Sequence, residues 1–466
     1  MKKFFEKHDL IKISGIMVLL TALLTWIIPY GYFSGSEMVT QDITRVGVTN
    51  FMQYGLLGIY YFTVLVTFLF VLGGFYELIG KAQGYQAFVK NTSDALKGKE
   101  VIAVLVSMFL FAGLNSVLNE FFPLLVFVPL VVTILSRLKL DKLTSFNATF
   151  GGLLIGVLGS TLSTKVVGYI NTTFGTINTT YIAVKIVLFA LAYICLATLT
   201  VMHMKNANKP SKVDYDKFAL DLSPNKKLRT GGAAYIILFA VIFVVTVLAY
   251  MPWSSWGVAA FDNATAWVNE LSLAGVPIIS YIFGNFVAFG SWDIFTIQFV
   301  LLFASLLIWI FDKFSLDDVI ESYRDGFRKM GPVVVTLLLV YFILEIAVMY
   351  PVLPVIADWF ATIADGFSAF WNTIAVFITS LFGVEMQYVM SLIGTYYAAT
   401  FASNSSEMAM IIQMMFGLVS FFAPSSVILM LGLSYLDLPY KDWMKFIWKF
   451  LVALLLVIII IIIIIV

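Results

Sequence analysis

The sequence predicts an all-α polytopic membrane protein, built as inverted repeats with two re-entrant helical hairpins and two broken transmembrane helices. Three observations lead there. The composition is 61% hydrophobic and only 12% charged, against roughly 25% charged residues in a soluble domain. Apolar runs recur along all 466 residues, and each crossing needs about 20 of them. The bases gather in alternate polar stretches. So little charge cannot solvate the surface of a water-soluble enzyme, and so much apolar surface excludes disorder.

Met1–Lys12 is basic and leads into an apolar run ending at Trp26-Ile27-Ile28-Pro29-Tyr30-Gly31. The run is too long for a signal peptide and no small-x-small cleavage site follows, so it reads as a retained first helix. Further runs are Phe51–Gly80, Val101–Leu138, Phe146–Ile170, Tyr181–His203, Gly231–Tyr250, Leu271–Phe311, Pro332–Tyr350, Phe370–Thr400, Met408–Leu436 and Phe446–Val466. They leave room for roughly ten crossings or half-crossings. The isoleucines Ile458–Ile465 read as lipid-facing bulk. Lys81–Glu100 and Asp312–Met330 read as amphipathic surface helices, and Tyr350–Phe370 as a third on the opposite side. Trp26, Trp253, Trp256 and Trp443 read as interfacial anchors.

Polar stretches 1–12, 81–100, 137–142, 204–230, 312–331 and 437–449 hold 25 of the 28 lysines and arginines. By the positive-inside rule that side is the cytoplasm, with the N-terminus there. Only Arg45, Lys165 and Lys185 are left over. The chain is thus a multi-pass protein of the cytoplasmic membrane, with the lipid bilayer as its surroundings. Its net charge of +1 gives no reason to expect a nucleic-acid partner.

This orientation makes Val101–Leu138 enter and return on one side within 38 residues, short for two full crossings. A hairpin over 101–138 fits, with its tip at Asn115-Ser116-Val117-Leu118-Asn119-Glu120. A second over 370–400 would turn at Thr379-Ser380-Leu381-Phe382-Gly383-Val384-Glu385. Glu120 precedes Ser160 by 40 residues, and Glu385 precedes Ser425 by 40. Ser160 and Ser425 lie in Gly159-Ser160-Thr161-Leu162-Ser163-Thr164-Lys165 and Pro424-Ser425-Ser426, hydroxyl-rich breaks within the helices 146–170 and 408–436. Equal spacing with a basic loop in one half and a base-free loop in the other is the pattern of an inverted repeat. The halves are 1–230 and 231–466, each with scaffold helices, and the two hairpins with the two broken helices make up a discontinuous unit.

Irregular backbone at membrane depth persists only in protein or around a wet cavity. Free N–H groups at half-helix ends suit a carboxylate, and unwound carbonyls with Asn and Ser oxygens suit sodium. Candidate substrate- or ion-binding residues are therefore Asn115, Ser116, Asn119, Glu120, Ser160, Thr161, Ser163, Thr164, Lys165, Ser380, Gly383, Glu385, Pro424, Ser425 and Ser426. Sodium would sit at Asn115, Ser116, Ser380 and Ser425. Lys165 could hold a substrate carboxylate, neutralise Glu120 or snorkel outward. Asp293 and Glu345 read as structural pairs, and Glu77 as interfacial. Only His8 and His203 are present, which leaves no intramembrane histidine chemistry. No phosphate-binding loop occurs, so no catalytic residue and no cofactor is expected. Coupling would come from an ion gradient, sodium or proton, or from exchange.

Leu24-Thr25-Trp26-Ile27-Ile28-Pro29-Tyr30-Gly31 resembles the opening of the YfcC/DcuC-type carriers of the ion-transporter superfamily. Ala423-Pro424-Ser425-Ser426-Val427-Ile428-Leu429-Met430, Gly432-Leu433 and Leu438–Lys445 are similar to that family's closing segment. The resemblance implies two inverted repeats, two re-entrant hairpins, a mobile transport domain and a scaffold that often dimerises. Its members carry four-carbon dicarboxylates or amino acids, including arginine–ornithine exchange. Gly113 and Asn115–Glu120 occupy the place of the family's acid-bearing first tip. Gly159–Lys165 replaces an Ala-Ser…Asn-Pro element, and the second tip keeps Ser380 and Gly383 but adds Glu385. These departures leave the substrate to charge counting. Glu120, Glu385, Asp293 and Glu345 stand against Lys165, which favours a basic amino acid moved by a secondary active transporter. The alternative is a sodium- or proton-coupled four-carbon dicarboxylate transporter.

Overall fold

A computed structural model describes residues 9–34, 37–177, 179–206, 215–220, 232–272, 276–364 and 366–466. Residues 1–8, most of the basic stretch 204–230 and Asp365 lie outside the described residues.

Among the described residues the secondary structure is helical, apart from the hairpin β1 (Gly31–Ser34) and β2 (Glu37–Thr40). α1 is Asp9–Ile27, α2 Val48–Tyr61, α3 Thr63–Lys81, α4 Gln83–Leu96 and α5 Glu100–Val117. A short 3-10 turn, Phe122–Phe127, leads into α6, Val128–Arg137. α7 (Lys142–Phe146) and α8 (Gly152–Leu158) are joined through a π-turn, and a second π-turn, Thr164–Gly168, opens α9 (Tyr169–Phe174). Then come α10 (Ile182–Asn206), α11 (Gly232–Tyr250), α12 (Ala260–Glu270), α13 (Ile278–Phe283) and α14 (Ile294–Asp312). They are followed by α15 (Leu316–Met349), α16 (Leu353–Ala361), α17 (Ala369–Ser380), α18 (Met386–Val389) and α19 (Thr395–Thr400). α20 (Ser405–Ser420), α21 (Val427–Tyr435) and α22 (Tyr440–Ile465) close the chain.

Eight described helices are long and apolar enough to cross a membrane: α1, α3, α5, α10, α11, α14, α15 and α22. Residues 101–138 form a helical hairpin, α5 down and α6 back, about a turn at Leu118–Phe121. Residues 370–400 do the same, through α17, a turn at Leu381–Glu385, and α18–α19. The first interrupted helix starts four residues before the expected 146, because Asp141 accepts the Thr144 N–H as an N-cap. Burial works against the Asp141 charge, but hydrogen bonds from His203 and Thr144 outweigh it. They hold the carboxyl below the usual carboxylate range.

α3 and α15 cross at two glycines. A Cβ on Gly73 would sit 2.6 Å from the Gly326 carbonyl oxygen, and one on Gly326 2.3 Å from the Gly73 carbonyl carbon. Only hydrogen fits there, so the backbones meet directly and α1, α3, α14 and α15 pack as one layer. The other layer packs α5 on α8, α17 on α20 and α8 on α20.

Four expectations change. Asp312–Met330 is no separate surface helix, since α15 runs on through Pro332, whose carbonyl accepts from Thr336 and Ser434. α16 buries Leu353–Ala357 against the protein, so it is packed structure instead of a surface helix. Trp443 is fully buried against Phe146 and is no interfacial anchor. Ile458, Ile461 and Ile462 are buried while Ile459, Ile460, Ile463 and Ile464 are exposed. A helix shows one face to its neighbours and the other outward, so only half of that run is free for lipid.

Candidate functional site

Breaking a helix frees backbone groups that must be paired. At Gly159–Ser163 side chains take up several of these groups. Gln413 on α20 donates its amide to Ser160 O at 2.7 Å and Leu158 O at 3.3 Å. Ser116 Oγ donates to Gly159 O at 2.9 Å, and Asn115 Nδ2 to Leu153 O at 2.7 Å. In return the N–H groups of Thr161 and Leu162 donate to Ser116 O. The hairpin tip and the break are thus a single hydrogen-bonded unit. Thr161 Oγ1 lies 3.1 Å from Ser116 Oγ, and Ser160 makes only a long contact to Ser116 O. Ser163 is buried, and its carbonyl takes the N–H groups of Val167 and Gly168.

The break at Phe421–Ser426 is satisfied in the same manner. Trp443 Nε1 donates to Phe421 O at 2.7 Å, and Tyr440 donates to Phe422 O. Ser425 Oγ donates to Leu381 O at 2.7 Å, tying this break to the second tip. Ser426 caps α21 by accepting from Leu429 N. Gly383 turns the tip where a Cβ would lie 2.4 Å from Val389 Cγ2. Ser380 Oγ is buried with no partner among the described residues, and Pro424 sits within the break itself.

Both tips carry their acids to one place. Lys165 Nζ lies 3.1 Å from Glu120 Oε2, a nearly buried carboxylate. Tyr341 of α15 donates to Glu385. A small cavity of about 60 Å³ is lined by Glu120, Lys165, Glu385, Ser420 and Ser426. A far larger one, about 850 Å³, shares only Glu120 and Lys165 with it. The pair forms the wall between the two. Asn119 and Thr164 also face the large cavity, joined by a 2.6 Å bond from Thr164 Oγ1 to Asn119 Oδ1. Asn119 anchors the first tip besides, through N–H to Tyr250 O and Nδ2 to Gly290 O.

The large cavity is rimmed by Asn171, Thr172, Thr176, Ile177 and Thr179, by Ser255 and by Trp292–Phe295, at the end of the spans away from the basic loops. Lys165 is the one base among its lining residues, and Glu120 and Asp293 are its acids. Asp293 caps α14 through Thr296 N and Oγ1, a structural role that leaves it facing the cavity. Glu345 differs from expectation. It is buried near Gly58 with no hydrogen-bond or ion-pair partner among the described residues. Glu77 pairs with Lys329 at 2.5 Å.

Of the sequence candidates, the structure gathers Asn119, Glu120, Thr164, Lys165, Glu385 and Ser426 around the two cavities. Asn115, Ser116, Ser160, Thr161, Ser163 and Ser425 lie behind them, in the tip-to-break joints. Gln413, Tyr341, Tyr440 and Trp443 were not legible as site residues. The one signal was Gln413, a lone amide inside Met410-Ile411-Ile412-Gln413-Met414-Met415.

The arrangement holds charge in a cavity between hairpins, and among the described residues lining it no nucleophile is hydrogen-bonded to a base as hydrolysis needs. Among solved structures, the Alcanivorax borkumensis YdaH transporter aligns over 97% of both chains, with 12% identity and a TM-score of 0.41. No curated protein matches the chain. Residues 8–466 match the model of the DcuC family, described as C4-dicarboxylate anaerobic carrier. With that match running through both hairpins and both breaks, the chain belongs to the C4-dicarboxylate anaerobic carrier family, a family of membrane transporters and not of enzymes.

Proposed function

We propose that the protein is a secondary transporter of four-carbon dicarboxylates working by alternating access. The observation that carries this reading is Lys165, the one base lining the 850 Å³ cavity, held against Glu120 at its inner wall. A substrate carboxylate would take the ammonium from Glu120. That exchange leaves Glu120 buried and unpaired, an expensive state, so a cation must arrive with the substrate. A proton on Glu120 or a sodium ion at Asn115, Ser116, Ser380 and Ser425 would serve. The hydroxyl and amide hydrogens of Asn115, Ser116 and Ser425 are already directed at backbone carbonyls, which leaves their oxygens as the ligating atoms.

The family's name supports the dicarboxylate over the basic amino acid that charge counting favoured. A zwitterionic or basic amino acid remains the second reading on one observation. Asp293 and Glu120 share the cavity with Lys165, so both ends of such a molecule would find opposite charge. Exchange of one amino acid for another belongs to that reading.

In this proposal the basic loops are cytoplasmic, by the positive-inside rule, and the large cavity opens outward. Lys142 and Lys217, both bonded to Asp437, and Lys329 with Glu77 hold the inner side together. The two hairpins and two broken helices move against α1, α3, α14 and α15. Uptake into proteoliposomes tests the reading. Labelled succinate is expected to accumulate under an inward proton or sodium gradient, with arginine neither entering nor exchanging for internal ornithine. Arginine uptake without succinate uptake would replace the dicarboxylate by the amino acid.

A further inference from the structure

Lys185 lies in the first turn of α10 and is only 4% exposed. Among the described residues its ammonium makes no hydrogen bond and no ion pair. A charge buried without a partner is costly, and Lys165, the other base within an apolar run of this half, has Glu120.

The Lys185 side chain lines a small cavity of about 10 Å³ between the α9–α10 connection and α20. That is about the space that one water-sized body occupies. Thr176 and Thr180 line one side, Ser406 and Gln413 the other. Thr180 Oγ1 accepts the Ile177 N–H, so its own hydrogen is free to point elsewhere. The Ser406 hydroxyl has no partner among the described residues. Gln413 and Asn171 add neutral amides. No carboxylate lines the space: Glu407, next in sequence to Ser406, instead accepts from Tyr181 at 3.2 Å. An ammonium and two hydroxyl hydrogens around a water-sized hole, with no negative charge, ask for an anion.

We propose that a small monovalent anion of chloride's size binds Lys185, Thr180 and Ser406. It joins the α9–α10 connection and the start of α10 to α20. Gln413 lines this cavity and also holds the carbonyls of the first break, so the occupied site steadies that break. The inference is independent of which substrate the carrier moves.

The test uses the full chain in detergent, with gluconate replaced stepwise by chloride or bromide at constant ionic strength. The expected result is a saturable rise of a few degrees in melting temperature, with the halide step lost in Lys185→Met and weakened in Ser406→Ala. Bromide density beside Lys185 in crystals of the unaltered protein supplies a readout that needs no variant. Equal melting temperatures in gluconate, chloride and bromide would overturn the proposal. So would an undiminished halide step in Lys185→Met, or water alone at the site in bromide-soaked crystals.

Discussion

Lys165→Met is expected to abolish substrate uptake. The change removes the one base lining the large cavity and strands Glu120, which is 8% exposed, without its partner. Glu120 stays buried when its partner goes, at a cost below the ~3–5 kcal/mol of a fully buried pair, because the Lys165 side chain is itself 41% exposed. The variant should therefore also melt well below the unaltered protein. Glu120→Gln combined with Lys165→Met removes both charges, so it should recover most of the lost stability and none of the transport. Thermal unfolding and proteoliposome uptake, measured on the single and double variants, separate the two effects. Uptake at the unaltered rate in Lys165→Met would exclude the ammonium from substrate binding.

The second large effect is expected at Gln413, which lines neither of the two cavities at Lys165. Gln413→Leu keeps the volume of the side chain roughly intact but withdraws the donor from Leu158 O and Ser160 O. Each buried carbonyl left unpaired costs about 1–3 kcal/mol. Two of them at one break should lower the melting temperature more than any single hydroxyl removal among Ser116, Thr161 and Ser425. Gln413→Glu tests the donor directly, because a carboxylate of similar shape has no hydrogen to give. Scanning calorimetry showing Gln413→Leu as stable as the unaltered protein would mean that the break does not depend on α20.

Much of this architecture was written in local chemistry. A 38-residue apolar run between two basic stretches had to turn back, and Asn119–Glu120 marked where. Gly159 and Pro424 marked the interruptions, since each falls among hydroxyl residues inside an apolar run. What could not be read was partnership across the fold. Trp443 beside lysines looks interfacial until Phe421 needs a donor for its carbonyl. Lys165 admitted three roles from sequence, and nothing local showed that the fold would set its ammonium 3.1 Å from Glu120. Pro332 looked like a helix boundary, but Thr336 and Ser434 satisfy its carbonyl and α15 continues. Period alone could not say which isoleucines of α22 face α10 and α20, because a run of identical residues has no polar face to orient it. Glu345, read as half of a pair, has no partner among the described residues, because nothing local specifies which helix will lie opposite a lone acid.

The wall between the two cavities is the centre of the account, and a structure of the protein saturated with succinate tests it most directly. The expected density places a substrate carboxylate within hydrogen-bond distance of Lys165 Nζ, with Glu120 Oε2 drawn away from the 3.1 Å contact seen without ligand. Succinate bound elsewhere while Lys165 and Glu120 remain paired would contradict it.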